Sequence, residues 1–175
     1  SVLGHGAYQA PDWTADWLHR ELVAWLDLTA QETYGKKFNE VSPEEHAWLV
    51  KLVALYHEQM SYMNEIVELS ALFFRKDFEV ENEQAREVLQ GETVPTVLNA
   101  FVAKLESMET FDEPSILAAI KEVQKETGVK GKNLFMPIRV ATSGQTHGPE
   151  IGKTIELLGR ERSIAHVQAA LALIK

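Results

Sequence analysis

The chain has 175 residues, no cysteine and a formal net charge of −9 at pH 7, with 45% hydrophobic and 25% charged residues. That length supports one domain, or two small subdomains, with a real core, and the composition is that of an ordinary folded protein. Disulfides, thiolate metal sites and thiol nucleophiles are excluded. No apolar run approaches the length of a membrane span and nothing resembles a signal peptide, so a cytoplasmic setting away from membranes is expected.

In chain order, the first expected element is an amphipathic helix from Pro11 to Leu26, with Trp13, Trp17, Leu18, Leu22, Trp25 and Leu26 on one stripe. Three of the four tryptophans lie there, a large burial demand that the helix at Pro43 or a second copy of the chain would have to meet. Gly35 is a stop signal. Ser42, Pro43 and Glu45 then spell a capped helix start, followed by an apolar face of Trp48, Leu49, Leu52, Val53, Leu55 and Tyr56. Helical periodicity resumes from Met60 to Phe74 after a bend near Glu58–Ser61, and the acidic run 76–83 has no regular pattern.

Short helices are expected over Gln84–Leu89, broken by Gly91, and from Pro95 with Val97, Leu98, Phe101, Val102 and Leu105 inward. Asp112 caps another, which Gly128 closes. Leu134, Phe135, Ile138, Val140 and Ala141 predict a helix ending before Gly144, with Pro149 in the first turn of the next. Arg160–Lys175 is the last, with Ile164, Val167, Leu171 and Ile174 on its apolar face. No segment alternates with a period of two. The fold class is all-α, a helical bundle with a Trp-rich N-terminal helix, divided into segments 1–40 and 41–175.

Catalytic chemistry finds no support in the residues. The six histidines form no metal-ligand spacing and read as surface or capping residues; the carboxylates read as solvated helix faces; no Gly-rich phosphate loop is present. No cofactor or metal is expected. The net acidity opposes a nucleic-acid partner, but the charge is uneven: residues 1–120 hold 21 acidic and 8 basic residues, whereas residues 121–175 hold 5 and 9.

The run Lys130-Gly131-Lys132-Asn133-Leu134-Phe135-Met136-Pro137-Ile138-Arg139-Val140-Ala141, the loop Gln145-Thr146-His147-Gly148-Pro149-Glu150 and the following Ile155-Glu156-Leu157-Leu158-Gly159 resemble the C-terminal anticodon-binding region of bacterial glutamyl-tRNA synthetases. The likeness runs from near Val41 to near Val167. It implies a helical anticodon-binding module whose partner is the anticodon loop of tRNA(Glu), with no aminoacylation in this chain, because both ATP-binding signatures of the catalytic domain are missing. It places Gln145, Thr146, His147, Gly148, Pro149 and Ile151 in the RNA-facing loop, Pro149 and Ile151 against a base. A loop that merely caps the next helix is the alternative. Arg139 is expected either on RNA or in a salt bridge, and Lys132, like Lys153, on phosphate or in solvent. Gly152 departs from the bulkier residue common in that family.

Separately, Gly4-His5-Gly6-Ala7-Tyr8-Gln9-Ala10-Pro11-Asp12-Trp13 with Ala15–Glu21 is similar to the extramembrane part of quinol-dependent nitric oxide reductases, over the first 35–40 residues. The chain lacks the membrane helices and ligating histidines that nitric oxide reduction needs. Two unrelated likenesses imply a fusion, natural or engineered. The rival function is therefore a structural chimera that binds nothing, with self-association through the N-terminal helix.

Overall fold

A computed structural model describes residues 23–24, 26–31, 34–57, 71–74 and 77–174. It divides the chain into two compact units, 1–68 and 69–175. Every regular element among the described residues is helical.

In the first unit, the described residues from 23 to 34 are helical and end at Gly35, whose N–H donates to the Gln31 carbonyl (3.0 Å) at φ 65°. Leu26, Thr29 and Ala30 are buried. Trp13, Trp17, Leu18, Leu22 and Trp25 lie outside the described residues. Helix α1 (Pro43–His57) opens on the expected capping box: the Ser42 N–H donates to Glu45 Oε2 (2.7 Å) and the Glu45 N–H to Ser42 Oγ (3.3 Å). A 3-10 turn at Phe38–Glu40 joins the two segments. Its Phe38 N–H donates to Asp27 Oδ1 (2.8 Å) and its ring stacks on His46 at 4.1 Å. Leu49, Leu52, Val53 and Tyr56 form the buried face of α1, and burial pushes the Tyr56 phenol well above its ordinary range.

The second unit holds α2 (Ala71–Phe74), α3 (Glu83–Leu89), α4 (Val94–Ser107), α5 (Glu113–Thr127), α6 (Lys132–Ser143), α7 (Ile151–Leu158) and α8 (Arg160–Leu173). Asp112 accepts the Ser115 N–H (3.0 Å) at the start of α5, and Gly128, in the left-handed conformation, closes it. The middle of the expected 60–74 helix, residues 58–70, is outside the described residues. Helix α4 is the hub, packing against α5, α6 and α8, with Val97, Leu98, Phe101 and Leu105 fully buried. Helix α6 lies against α3, α4, α7 and α8 and buries Leu134, Ile138 and Ala141 completely. Each such Leu or Ile contributes roughly 1.5–3 kcal/mol of transfer free energy.

Two expectations are corrected. Pro149 is not in the first turn of α7: the helix starts at Ile151 with Glu150 as its cap, so Pro149 precedes the cap and is buried. The histidines are not all on the surface, because His166 is 7% exposed and takes a place on the inner face of α8 that the apolar pattern had not assigned to it. No helix among the described residues is long and apolar enough to cross a membrane, and no group of His, Asp and Glu among them is arranged to hold a metal.

Candidate nucleic-acid interface

The segment between α6 and α7 is built from one helix turn. Ser143 Oγ donates to the Arg139 carbonyl (2.7 Å) and accepts the Gln145 N–H (3.2 Å), so one hydroxyl closes α6 and starts the loop. Thr142 Oγ1 donates to the Ile138 carbonyl (2.8 Å). Gly144 then turns the chain at φ 73°. Its carbonyl accepts the Glu81 N–H (2.9 Å), and a Cβ added there would overlap the Glu79 carbonyl oxygen. Only glycine meets both demands, a left-handed backbone and contact with the extended 79–81 segment.

Beyond this hinge, Thr146 is buried and its Oγ1 shares a hydrogen bond with His147 Nδ1 (2.8 Å). His147 and Gly148 are exposed. Arg139, half-buried on α6, reaches under the loop: its Nη1 donates to the Pro149 carbonyl (2.8 Å), and burial lowers its pKa from the ordinary arginine value. An ion pair between Arg139 and a carboxylate is absent among the described residues. Pro149 and Ile151 both face inward, Ile151 being 8% exposed, so the broad apolar surface expected for a stacked base is not on offer from either side chain. The depression they line with Leu72, Arg139, Thr142 and Gln145 holds about 10 Å³, room for one water molecule.

Helix α7 is held from behind. Glu156 Oε2 accepts the Glu113 N–H at the start of α5 (2.9 Å). Gly152 sits where an added Cβ would lie 3.0 Å from Glu113 Cγ and 3.2 Å from Leu117 Cγ. A side chain at this position would press on the Glu113 and Leu117 side chains of α5. At the rim, Lys153 pairs with Glu150 (3.1 Å) and draws the Glu150 pKa down, while desolvation and then neighbouring Glu150 raise that of Glu113.

Of the residues singled out from sequence, Arg139, Gln145, Thr146, His147, Gly148, Pro149 and Ile151 come together. Lys132 does not. It is exposed at the first turn of α6, about 16 Å along the helix axis from Ser143. The contributors that sequence missed are Ser143, the 79–81 segment and His166, whose Nδ1–H donates to the Thr142 carbonyl (2.8 Å) and ties α8 to the end of α6. His166 stands beside Val167 and Ala170 on one helix face, but that place did not mark it as core, and the 79–81 contact carried no sequence signal.

The class defined by this arrangement is a helical bundle presenting a pinned interhelical loop. The anticodon binding domain family matches residues 17–171, and the chain belongs to that family. It is 50% identical over 161 residues to the glutamate–tRNA ligase of Bacillus velezensis, covering 87% of this chain and 33% of the ligase. To that of Bacillus cytotoxicus it is 54% identical over 151 residues, covering 86% of this chain and 31% of the ligase. It thus spans about a third of the length of the curated relatives it matches, in the anticodon-binding part. The fold is shared with the crystal structure of a glutamate tRNA ligase from Elizabethkingia meningosepticum, at TM-score 0.72 and 19% identity over 88% of this chain and 29% of that one. The family match opens at residue 17, well ahead of the boundary near 41 expected from the motifs.

Proposed function

We propose that the chain binds the anticodon end of tRNA, tRNA(Glu) in particular, through the 145–151 loop and the first turn of α7. The observation that carries this reading is the family match across residues 17–171. Support for locating the contact at the loop comes from its exposed His147 and Gly148, polar backbone and side chain just ahead of the start of α7 that can read base edges or hold phosphate. It also lies in the part of the chain where basic residues outnumber acidic ones. The contact is with edges and backbone, since Pro149 and Ile151 are turned inward. The absence of cysteine supports a cytoplasmic setting.

Residues from 17 onward need no reductase ancestry, because the anticodon-binding family accounts for them. In this reading any reductase-derived segment lies ahead of Trp17, and self-association through the Trp-rich stripe is a separate property. The test is titration of the chain with an anticodon stem-loop RNA carrying the glutamate anticodon, at two salt concentrations. Weak binding that falls with salt and prefers this anticodon supports the proposal. Equal or absent binding for all stem-loops would leave the structural chimera as the better account.

A further inference from the structure

Resting on the RNA-binding reading of the loop, we propose a further RNA contact on the open face of α6: the Phe135 ring stacks on a single-stranded base flanking the anticodon, and Lys132 takes the phosphate beside it.

Helix α6 sorts its side chains by face. Leu134, Ile138 and Ala141 enter the core, while Lys132, Phe135, Met136, Arg139 and Ser143 keep some exposure and, at spacings of three and four, share the opposite side. Phe135 is 40% exposed, and no ring or cation is stacked on it among the described residues. A single open apolar side chain is ordinary; three features of its setting are not. First, α6 carries no acidic residue, in a chain that holds 26. Lys132 stands one turn before Phe135, and side chains on a helix lean toward its N-terminus, so the ring lies toward that ammonium. No ion pair engages Lys132 or the neighbouring Lys130 among the described residues. Second, the same face runs on to Arg139 and Ser143, which bond the loop at the Pro149 carbonyl and the Gln145 N–H. Phe135 precedes Arg139 by about one turn, roughly 6 Å along the axis, the reach of a single unstacked nucleotide. Third, the other end of the loop is acidic: Glu113 and Glu150 share a hydrogen bond, and Glu156 accepts the Glu113 N–H (2.9 Å). A polyanion leaving the loop is repelled on that side and admitted along α6. An open aromatic face beside an unpaired cation is the construction that holds single-stranded nucleic acid, by stacking and by phosphate attraction.

The experiment titrates the whole chain, Phe135→Ala, Phe135→Trp and Lys132→Gln with the glutamate-anticodon stem-loop over a range of salt. Phe135→Ala should melt like the parent, because the side chain is open and alanine favours a helix. It should bind roughly five- to a hundredfold more weakly, the scale of one lost base–aromatic stack. Its salt slope and its preference for the glutamate anticodon should stay as they were, since stacking reads neither charge nor sequence. Phe135→Trp should bind at least as tightly as the parent. Lys132→Gln should reduce the salt slope by about 0.7, one phosphate contact to a single strand. The stacked base is then found by replacing the loop nucleotides outside the anticodon, one at a time, with abasic ones. At one position the parent should lose as much affinity as Phe135→Ala does, and Phe135→Ala should lose nothing more. If the parent binds and Phe135→Ala matches it within about twofold at every salt concentration, where one stack predicts at least fivefold, the proposal is overturned while the RNA-binding reading stands. Unchanged RNA affinity together with a loss of self-association in Phe135→Ala would assign the face to a second copy of the chain, and overturns it as well. If the parent binds no stem-loop, the RNA-binding reading fails and this contact falls with it.

Discussion

Gly144 carries two constraints that no other side chain satisfies together. At φ 73° a residue with a Cβ is strained by about 1–3 kcal/mol, and the added carbon would also collide with the Glu79 carbonyl. Gly144→Ala should therefore destabilise by more than the strain alone, read as a drop in melting temperature with the Glu81–Gly144 bond lost to rapid amide exchange. A melt matching the parent would show that the 79–81 segment is not held there. His166 supplies a prediction about pH. Burial, and then the nearby Arg162 charge, lower its pKa, partly opposed by its bond to the Thr142 carbonyl. The unfolded chain takes up a proton near pH 6.5 that the folded chain resists, so this contribution is complete above that pH. It is lost on acidification through the window below it, by at most about 1.4 kcal/mol per pH unit. Denaturant melts at pH 7.5 and 5.5 should show the loss, and His166→Leu should flatten that increment. As sequence, Gly144 was legible as punctuation and His166 was not legible as core. The first signal is local, whereas the second depends on which carbonyl another helix brings near.

At the scale of elements, helix limits were written where their chemistry is local. Ser42 with Glu45, Asp112, Gly128 and Gly35 all act within four residues of themselves, and the structure has each in its expected part. Pro149 shows the limit of such reading: its missing N–H suits a helix start, but its carbonyl is claimed by Arg139, and the helix begins later. The choice of α4 as hub was not readable, since its apolar face resembles those of its neighbours and only packing ranks them. Phe101, fully buried on α4, is where that ranking can be measured. Phe101→Ala should cost about 3–5 kcal/mol in chemical denaturation and loosen α5, α6 and α8 together. A loss under about 1 kcal/mol would mean that the core closes over the gap and α4 is not its centre.

For the whole molecule, net charge sets the style of any encounter with RNA. A chain of net charge −9 is repelled by a polyanion at long range and gains only at the few places where cations or amide groups lead. Two or three phosphate contacts to a single-stranded loop correspond to a log–log salt slope of about −1.4 to −2.1, from roughly 0.7 per contact. A measured slope beyond about −4 would reveal a broad basic face that neither the sequence nor the described residues contain. Ancestry was legible in the 130–159 run because the hinge, loop and helix start are contiguous there. The way the loop is held was not, since Glu79, Glu81 and His166 reach it from distant parts of the chain.

That last feature bears on the order in which the protein comes into being. The 79–81 segment leaves the ribosome long before Gly144, and α8, whose His166 holds the end of α6, leaves after both. A nascent chain that has emerged only as far as α7 therefore lacks the His166 bond to the end of α6, and the hinge before the loop gains that support only once α8 has been made.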